Sequence, residues 1–338
     1  MKTISLTRPG RLDLIDTPQP PEPGPGEALV RVHRAGVCGT DIGAYRGKQP
    51  FFSYPRIIGH ELGVTVETLG PGVENVAVGD RCAVEPYLNC GRCIACRRGK
   101  TNCCTSLQCL GVHTDGGMRE RIILPARKLH RSAKLTFDQL ALVETLGIGA
   151  HAVARAQMEP SENVLVIGAG PIGLAVMQFA KLAQARVIAM DMTASRLEFA
   201  QEHMNIDEAI DAIAEPLARL KDLTDGDLPT VVVDATGNVN SMNRSLDYLA
   251  AGGRLVFVGL VQADFSFSDA EFHRREATLL ASRNALPGDF TRIISLMESG
   301  SIDTTPWITH RCHAEEMPVR FEQWLDPAQR CVKAMVEF

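Results

Sequence analysis

The sequence predicts an α/β protein in two parts: an irregular β domain, then a doubly wound parallel sheet, with a last segment returning to the first part. Three observations carry that prediction. At 338 residues the chain is longer than one ordinary core usually serves. Residues 1 to about 145 are rich in Gly, Pro and short β-branched runs. From about residue 150 the texture changes to short apolar strands alternating with amphipathic helices.

Taken in order, the runs 28–32, 63–69 and 121–124 read as strands of an irregular all-β domain with long functional loops. Residues 17–26, with five prolines, read as a stiff surface turn. The second part starts with a strand over 163–167 and a helix over 173–183, then a strand over 186–190 and a helix over 194–204. Strands over 230–233 and 254–258 continue the series with a helix between them. A final strand over 332–338 is expected to pack back onto the first domain. The boundaries are therefore 1–147, containing a cysteine lobe at about 88–106, then 148–287, then 288–338.

A formal net charge of -5 with interspersed signs leaves no electrostatic footprint for nucleic acid or an anionic membrane. A small soluble metabolite is the expected partner. Residues 1–15 lack the pattern of an export signal and no apolar run is long enough to span a bilayer, so a cytoplasmic location is expected. Five of the ten cysteines lie between Cys90 and Cys104. In a large chain without an export signal, metal ligation explains that cluster better than disulfides do.

Val164-Leu-Val-Ile-Gly168-Ala-Gly170-Pro171-Ile172-Gly173 is a strand running into a Gly-x-Gly-x-x-Gly turn and a helix. Gly168 makes the tight turn, Gly170 lets a pyrophosphate approach the backbone, and Gly173 lets helix and strand pack closely. The helix N-terminus offers free amides to the phosphates. A bare glycine triplet is often just a turn, but here a second strand follows and ends at Asp191, eighteen residues beyond Gly173. A carboxylate there accepts from the adenosine ribose hydroxyls and repels a 2'-phosphate, which favours NAD over NADP. Arg196 either flanks the adenosine or is an ordinary helix-face charge.

Cys90-Gly-Arg-Cys93-Ile-Ala-Cys96 supplies three thiols at x2 spacing, and Cys104 a fourth after seven further residues. Such turns bring sulfurs to about 2.3 Å from one tetrahedral ion, so four thiolates make a closed structural zinc site. Cys103 is the poorer ligand candidate. A second set is dispersed: Cys38 in Gly36-Val-Cys38-Gly-Thr40-Asp41, His60 and Glu61 in Gly59-His60-Glu61, and Glu144 in Leu142-Val-Glu144-Thr-Leu. Each of these is bland alone.

Together these motifs, in this order over nearly the whole chain, resemble the zinc-dependent medium-chain dehydrogenases, specifically the sorbitol dehydrogenase-like branch. The resemblance implies a GroES-like catalytic domain, a Rossmann NAD-binding domain, and two zinc ions per chain. It makes Cys38 and His60 ligands of a catalytic zinc, with Glu61 as an exchangeable carboxylate ligand. Glu144 would bind the ion or hold its water. A sulfur, nitrogen and oxygen site with one exchangeable position suits activation of a secondary hydroxyl. Thr40 matches a hydroxyl that bonds the substrate oxygen and passes its proton outward.

Two departures stand out. Many relatives carry a His five residues after the cysteine, where this chain has Gly43, and a Pro after the glutamate, where it has Thr145. The nicotinamide is expected against Val258-Gly259-Leu260 and residues 281–283, with Asp234-Ala-Thr-Gly237 lining the groove. Gln49-Pro-Phe-Phe-Ser-Tyr-Pro55, Gly111-Val-His113-Thr-Asp-Gly-Gly117, Phe267-Ser-Asp-Ala-Glu-Phe-His273 and residues 282–290 resemble bacterial sugar-acid dehydrogenases acting at C5 of L-galactonate or L-gulonate. An aldonate carboxylate needs a cation, and Lys48, His113 and Arg283 are candidates, each otherwise a solvated surface group. A neutral polyol or L-threonine substrate fits the same framework, and a non-catalytic zinc or redox binding protein is the reading from another class. A homodimer or homotetramer is expected, with residues 254–258 and the segment to Phe267 extending a sheet across the subunit boundary.

Overall fold

The computed structural model describes residues 1–338, which divide into two compact units: Met1–Thr145 with Ala285–Phe338, and Leu146–Asn284. In the first unit one mixed sheet runs in the order Leu129–Arg131, Arg81–Val84, Glu61–Leu69, Glu27–Gly36, Lys333–Glu337, Ile308–His313. The central strand Glu27–Gly36 is shared along its length. Its first half also pairs with Arg121–Pro125, and its end pairs with Lys333–Glu337. Alternate side chains Ala28, Val30 and Val32 point into the core with Leu62, Val64, Val66, Ile122 and Leu124.

That register assembles the site. Gly36 stands opposite Glu61 on one side and opposite Met335 on the other. A Cβ on Gly36 would lie 2.0 Å from Glu61 Oε2, so only glycine lets the Glu61 side chain cross the strand end. The Cys38 loop follows two residues later.

Three helices interrupt the domain read above as all-β, one of them the single turn Ile94–Arg97 in the cysteine lobe. Gly39–Tyr45 carries Thr40 and Gly43, and Phe137–Ala156 runs for 20 residues. The longer one is apolar nearly all round because its middle is buried, so it lacks the amphipathic period that marks a surface helix. Its start is nevertheless written locally: Thr136 Oγ1 accepts from Gln139 N, and Gln139 Oε1 accepts from Thr136 N, a reciprocal cap.

Asp138 in its first turn receives Arg34 Nε at 2.9 Å and Arg311 Nη2 at 2.7 Å. Burial pushes the Asp138 carboxyl up, but the Arg311 and Arg34 guanidiniums outweigh it and hold the pKa below the ordinary 3.8. A depressed folded pKa contributes stability that is fully present above the ordinary value and is lost as pH falls through the folded one. Asp138→Asn is therefore expected to lower the melting temperature at pH 7, with variant and parent converging on the acid limb. Equal losses at both pH values would assign the effect to the helix turn and not to the ion pairs.

The second unit holds six parallel strands in the order Glu208–Asp211, Arg186–Asp191, Asn163–Ile167, Val231–Asp234, Arg254–Phe257, Thr278–Ala281. Strand order reverses direction between Asn163–Ile167 and Val231–Asp234, the point where such sheets open a crevice for a ligand. One expectation is corrected here. Arg254–Phe257 is hydrogen-bonded on both sides, so it cannot extend the sheet into another subunit, and the open edges are Glu208–Asp211 and Thr278–Ala281. No helix is long and apolar enough to cross a membrane.

Candidate active site

In the first unit the ligand atoms of Cys38, His60 and Glu61 all lie within 4.8 Å of one another. Cys38 caps the helix Gly39–Tyr45: its backbone N–H donates to Asp41 Oδ2 at 2.9 Å, and its Sγ lies 3.7 Å from Thr40 Oγ1. His60 and Glu61 enter from the start of the adjoining strand. All but Cys38 and Thr40 in this group are buried.

Burial opposes a charged His60 ring, yet Cys38, Asp41 and Glu144 around it raise its pKa well above 6.5. His60 Nδ1 and Asp41 Oδ1 are both buried without a hydrogen-bond partner. A partly exposed thiol, a buried imidazole and buried carboxylates that together favour a positive charge, with an orphaned ring nitrogen, fit a divalent cation of the zinc type.

Lys333 completes the cluster, and sequence reading missed it. Its fully buried ammonium donates to Glu61 Oε1 at 2.6 Å and Oε2 at 2.8 Å, to Val37 O at 3.2 Å and to Thr145 Oγ1 at 3.3 Å. Burial alone would push the Glu61 carboxyl up and the Lys333 ammonium down. Each overrides that for the other, so both stay ionised. The hydroxyl of Thr145, absent where relatives carry proline, is one of the acceptors that satisfy Lys333. A lysine inside the apolar run of a final strand was the signal available for it.

Glu144 lies outside the trio. The buried Tyr87 hydroxyl donates to its Oε1. Burial, then the neighbouring Glu61 charge, push its carboxyl up against the pull of His60 and Tyr87. Tyr87 was not picked out by sequence, where it is one aromatic in a loop. Asp41 was available as a capping residue three positions after Cys38.

Cys90, Cys93, Cys96 and Cys104 form a second group within the same 4.8 Å limit, with Cys103 exposed beside it. Backbone N–H groups point at the sulfurs: Cys96 N donates to Cys93 Sγ at 3.5 Å, and Cys90 N and Ser106 N to Cys104 Sγ at 3.3 and 3.4 Å. Those of Cys96 and Thr105 bring the Cys93 thiol down to about 5. Amides donating to sulfur favour the thiolate, the form that binds zinc.

In the second unit Gly168 has φ +96°, and a Cβ on Gly173 would stand 1.7 Å from Gly168 O, so strand and helix meet as closely as only glycine allows. Gly170 precedes the helix Pro171–Leu182, whose first residues are Pro171 and Ile172. Asp191 accepts Ala169 N–H at 2.7 Å on one oxygen and Thr193 N–H at 2.8 Å on the other. Arg196 Nη1 lies 3.8 Å from Asp191 and 4.0 Å from the point a Gly170 Cβ would occupy. Half-buried Val258, exposed Leu260 and exposed Arg283 follow the carboxyl ends of the parallel strands. This is a cradle of the shape a dinucleotide pyrophosphate takes.

Of the other residues read as substrate contacts, Lys48 is exposed just beyond the helix Gly39–Tyr45. His113 is half-buried, and its Nδ1 accepts Cys109 N–H at 3.1 Å.

Residues 24–134 match the family model described as alcohol dehydrogenase GroES-like domain, and residues 171–299 the one described as zinc-binding dehydrogenase. The chain is 39% identical to the L-galactonate-5-dehydrogenase of Escherichia coli (strain K12), over 94% of each. It is 32% identical to the 2-dehydro-3-deoxy-L-galactonate 5-dehydrogenase of Pseudoalteromonas atlantica, over 93% of this chain and 92% of that protein. A solved alcohol dehydrogenase (rspB) from Escherichia coli CFT073, complexed with NADH, matches with a TM-score of 0.93 at 33% identity, over 100% of this chain and 99% of that one. The chain belongs to the medium-chain, zinc-binding alcohol dehydrogenase family.

Proposed function

We propose that this protein oxidises a secondary alcohol of a sugar acid, at C5 of L-galactonate or L-gulonate, passing hydride to NAD and a proton to water to leave a keto sugar acid. The observation that carries the reading is the clustered trio Cys38, His60 and Glu61 in a chain 39% identical to an L-galactonate-5-dehydrogenase. Zinc bound by that trio would serve as a Lewis acid that makes a substrate hydroxyl easier to deprotonate.

The chain's own residues do the rest. Cys38 and His60 would hold the ion, and Lys333 keeps Glu61 ionised beside them. Thr40, whose Oγ1 lies 3.7 Å from the Cys38 sulfur, would accept the substrate proton and hand it outward. Nothing lies within 4 Å of a Cβ position at Gly43, so water can take the place of the imidazole that relatives carry there. The four cysteines of the lobe would hold a second, structural zinc. Asp191 keeps a free lone pair on each oxygen after its backbone bonds, enough for two ribose hydroxyls, and its charge opposes a 2'-phosphate.

The test is a comparison of initial rates on L-galactonate, L-gulonate, sorbitol and L-threonine, each with NAD or NADP and added zinc. An aldonate with NAD should be fastest. A preference for sorbitol or threonine would remove the sugar-acid reading while keeping the dehydrogenase. One chelator-resistant zinc per chain with no turnover on any substrate would favour a non-catalytic zinc protein.

A further inference from the structure

Three carboxylates gather at the Cys38–His60–Glu61 site, Glu61 among them, and each is held by a different donor. Asp41 accepts the Cys38 backbone N–H, and Glu61 is gripped on both oxygens by the Lys333 ammonium. Glu144 is held on one oxygen, Oε1, by the neutral hydroxyl of Tyr87. Glu144 is close enough for its charge to act on His60 and on Glu61, yet it is not one of the atoms gathered within 4.8 Å.

We propose that Tyr87 is a positioning residue that withholds Glu144 from the metal, keeping it as a hydrogen-bond acceptor for the substrate or for water. This rests on the reading of Cys38, His60 and Glu61 as a zinc site. The physical reasoning is competitive. A buried carboxylate beside a divalent cation ligates it unless something else satisfies the oxygen and fixes the rotamer. The Tyr87 hydroxyl does both.

Tyr87 is itself anchored. It lies in the short strand Tyr87–Leu88, paired in register with Cys109 of Gln108–Cys109, and its ring meets the edge of Phe290 at 6.3 Å between centroids. Burial, first, and the Glu144 charge hold its phenol well above 10, so it remains a donor at all working pH values. Restrained in this way, Glu144 would stay off the ion and remain available to a hydroxyl of a polyhydroxylated substrate or to water.

The test is Tyr87→Phe in enzyme whose site metal is exchanged for Co(II), with Glu144→Gln and the double variant alongside. If Tyr87 restrains Glu144, Tyr87→Phe should gain a carboxylate ligand. The visible cobalt absorption weakens and shifts, chelator-driven metal release slows by about tenfold, and turnover falls by a similar factor. In the Glu144→Gln background, adding Tyr87→Phe should change neither the spectrum nor the release rate, because the competing ligand is already gone.

An unchanged cobalt spectrum and release rate in Tyr87→Phe overturns the proposal, as does a spectral change that persists in the Glu144→Gln background. If the native protein takes up cobalt only with the spectrum of a tetrathiolate site, the zinc reading itself fails, and that failure is visible before any variant is compared. Should Tyr87→Phe fold poorly, Glu144→Gln still tests the idea: its amide oxygen can accept from Tyr87, so metal release should match the native protein, and faster release would show that Glu144 was already a ligand.

Discussion

Cys38→Ser or His60→Ala is expected to lower turnover by at least about a thousandfold, since hydroxyl activation by a Lewis acid is worth several kcal/mol and each 1.36 kcal/mol is tenfold in rate. Metal content separates this from general damage. Zinc should fall from two ions per chain to one, matching the two ligand groups, with the Cys90 lobe retaining its ion. The melting temperature should stay close to that of the parent, because neither Cys38 nor His60 belongs to a strand of either sheet. A variant that keeps two zinc ions and near-normal turnover would remove Cys38 or His60 from the site.

The second large effect lies at Lys333. Lys333→Met leaves the Glu61 carboxylate buried at 1% exposure without the ammonium that grips both its oxygens, a change that typically destabilises by roughly 3–5 kcal/mol. The expected result is a marked loss of thermal stability in the metal-free protein, partly recovered when zinc is added, because the ion offers Glu61 another positive partner. The double variant Lys333→Met with Glu61→Gln should regain much of the stability without regaining activity. Its stability should also show less dependence on zinc than that of Lys333→Met. If the single variant is as stable as the parent, the pair contributes no more than a hydrophobic contact would.

Lys333 and Asp138 act differently in acid. Asp138 is a partly exposed carboxylate whose two arginine partners stay charged at every working pH, so its contribution disappears only in strong acid. Glu61 and Lys333 are sealed among Val37, Thr145 and the strand end at Gly36, so their pairing is a buried interaction and not an adjustable surface term.

What the sequence determined by itself was local. The Gly168–Gly173 turn, the x2 cysteine spacing and the alternation of short strands with helices are each written within a few consecutive residues. The steric or ligand requirement behind them acts over the same short span. They led to the fold class and to both ligand groups, with the family resemblance needed to join Cys38, His60 and Glu61. The helix Phe137–Ala156 was hidden because burial on all sides removes the period that reveals a helix. Only the tertiary structure decided how the carboxylates are used. Lys333 reaches Glu61 across 272 residues, through the register that sets Gly36 between two strands, and Tyr87 reaches Glu144 across 57. Such partners are chosen by sheet register and depth of burial, which bring together groups that carry no mark of one another in the chain.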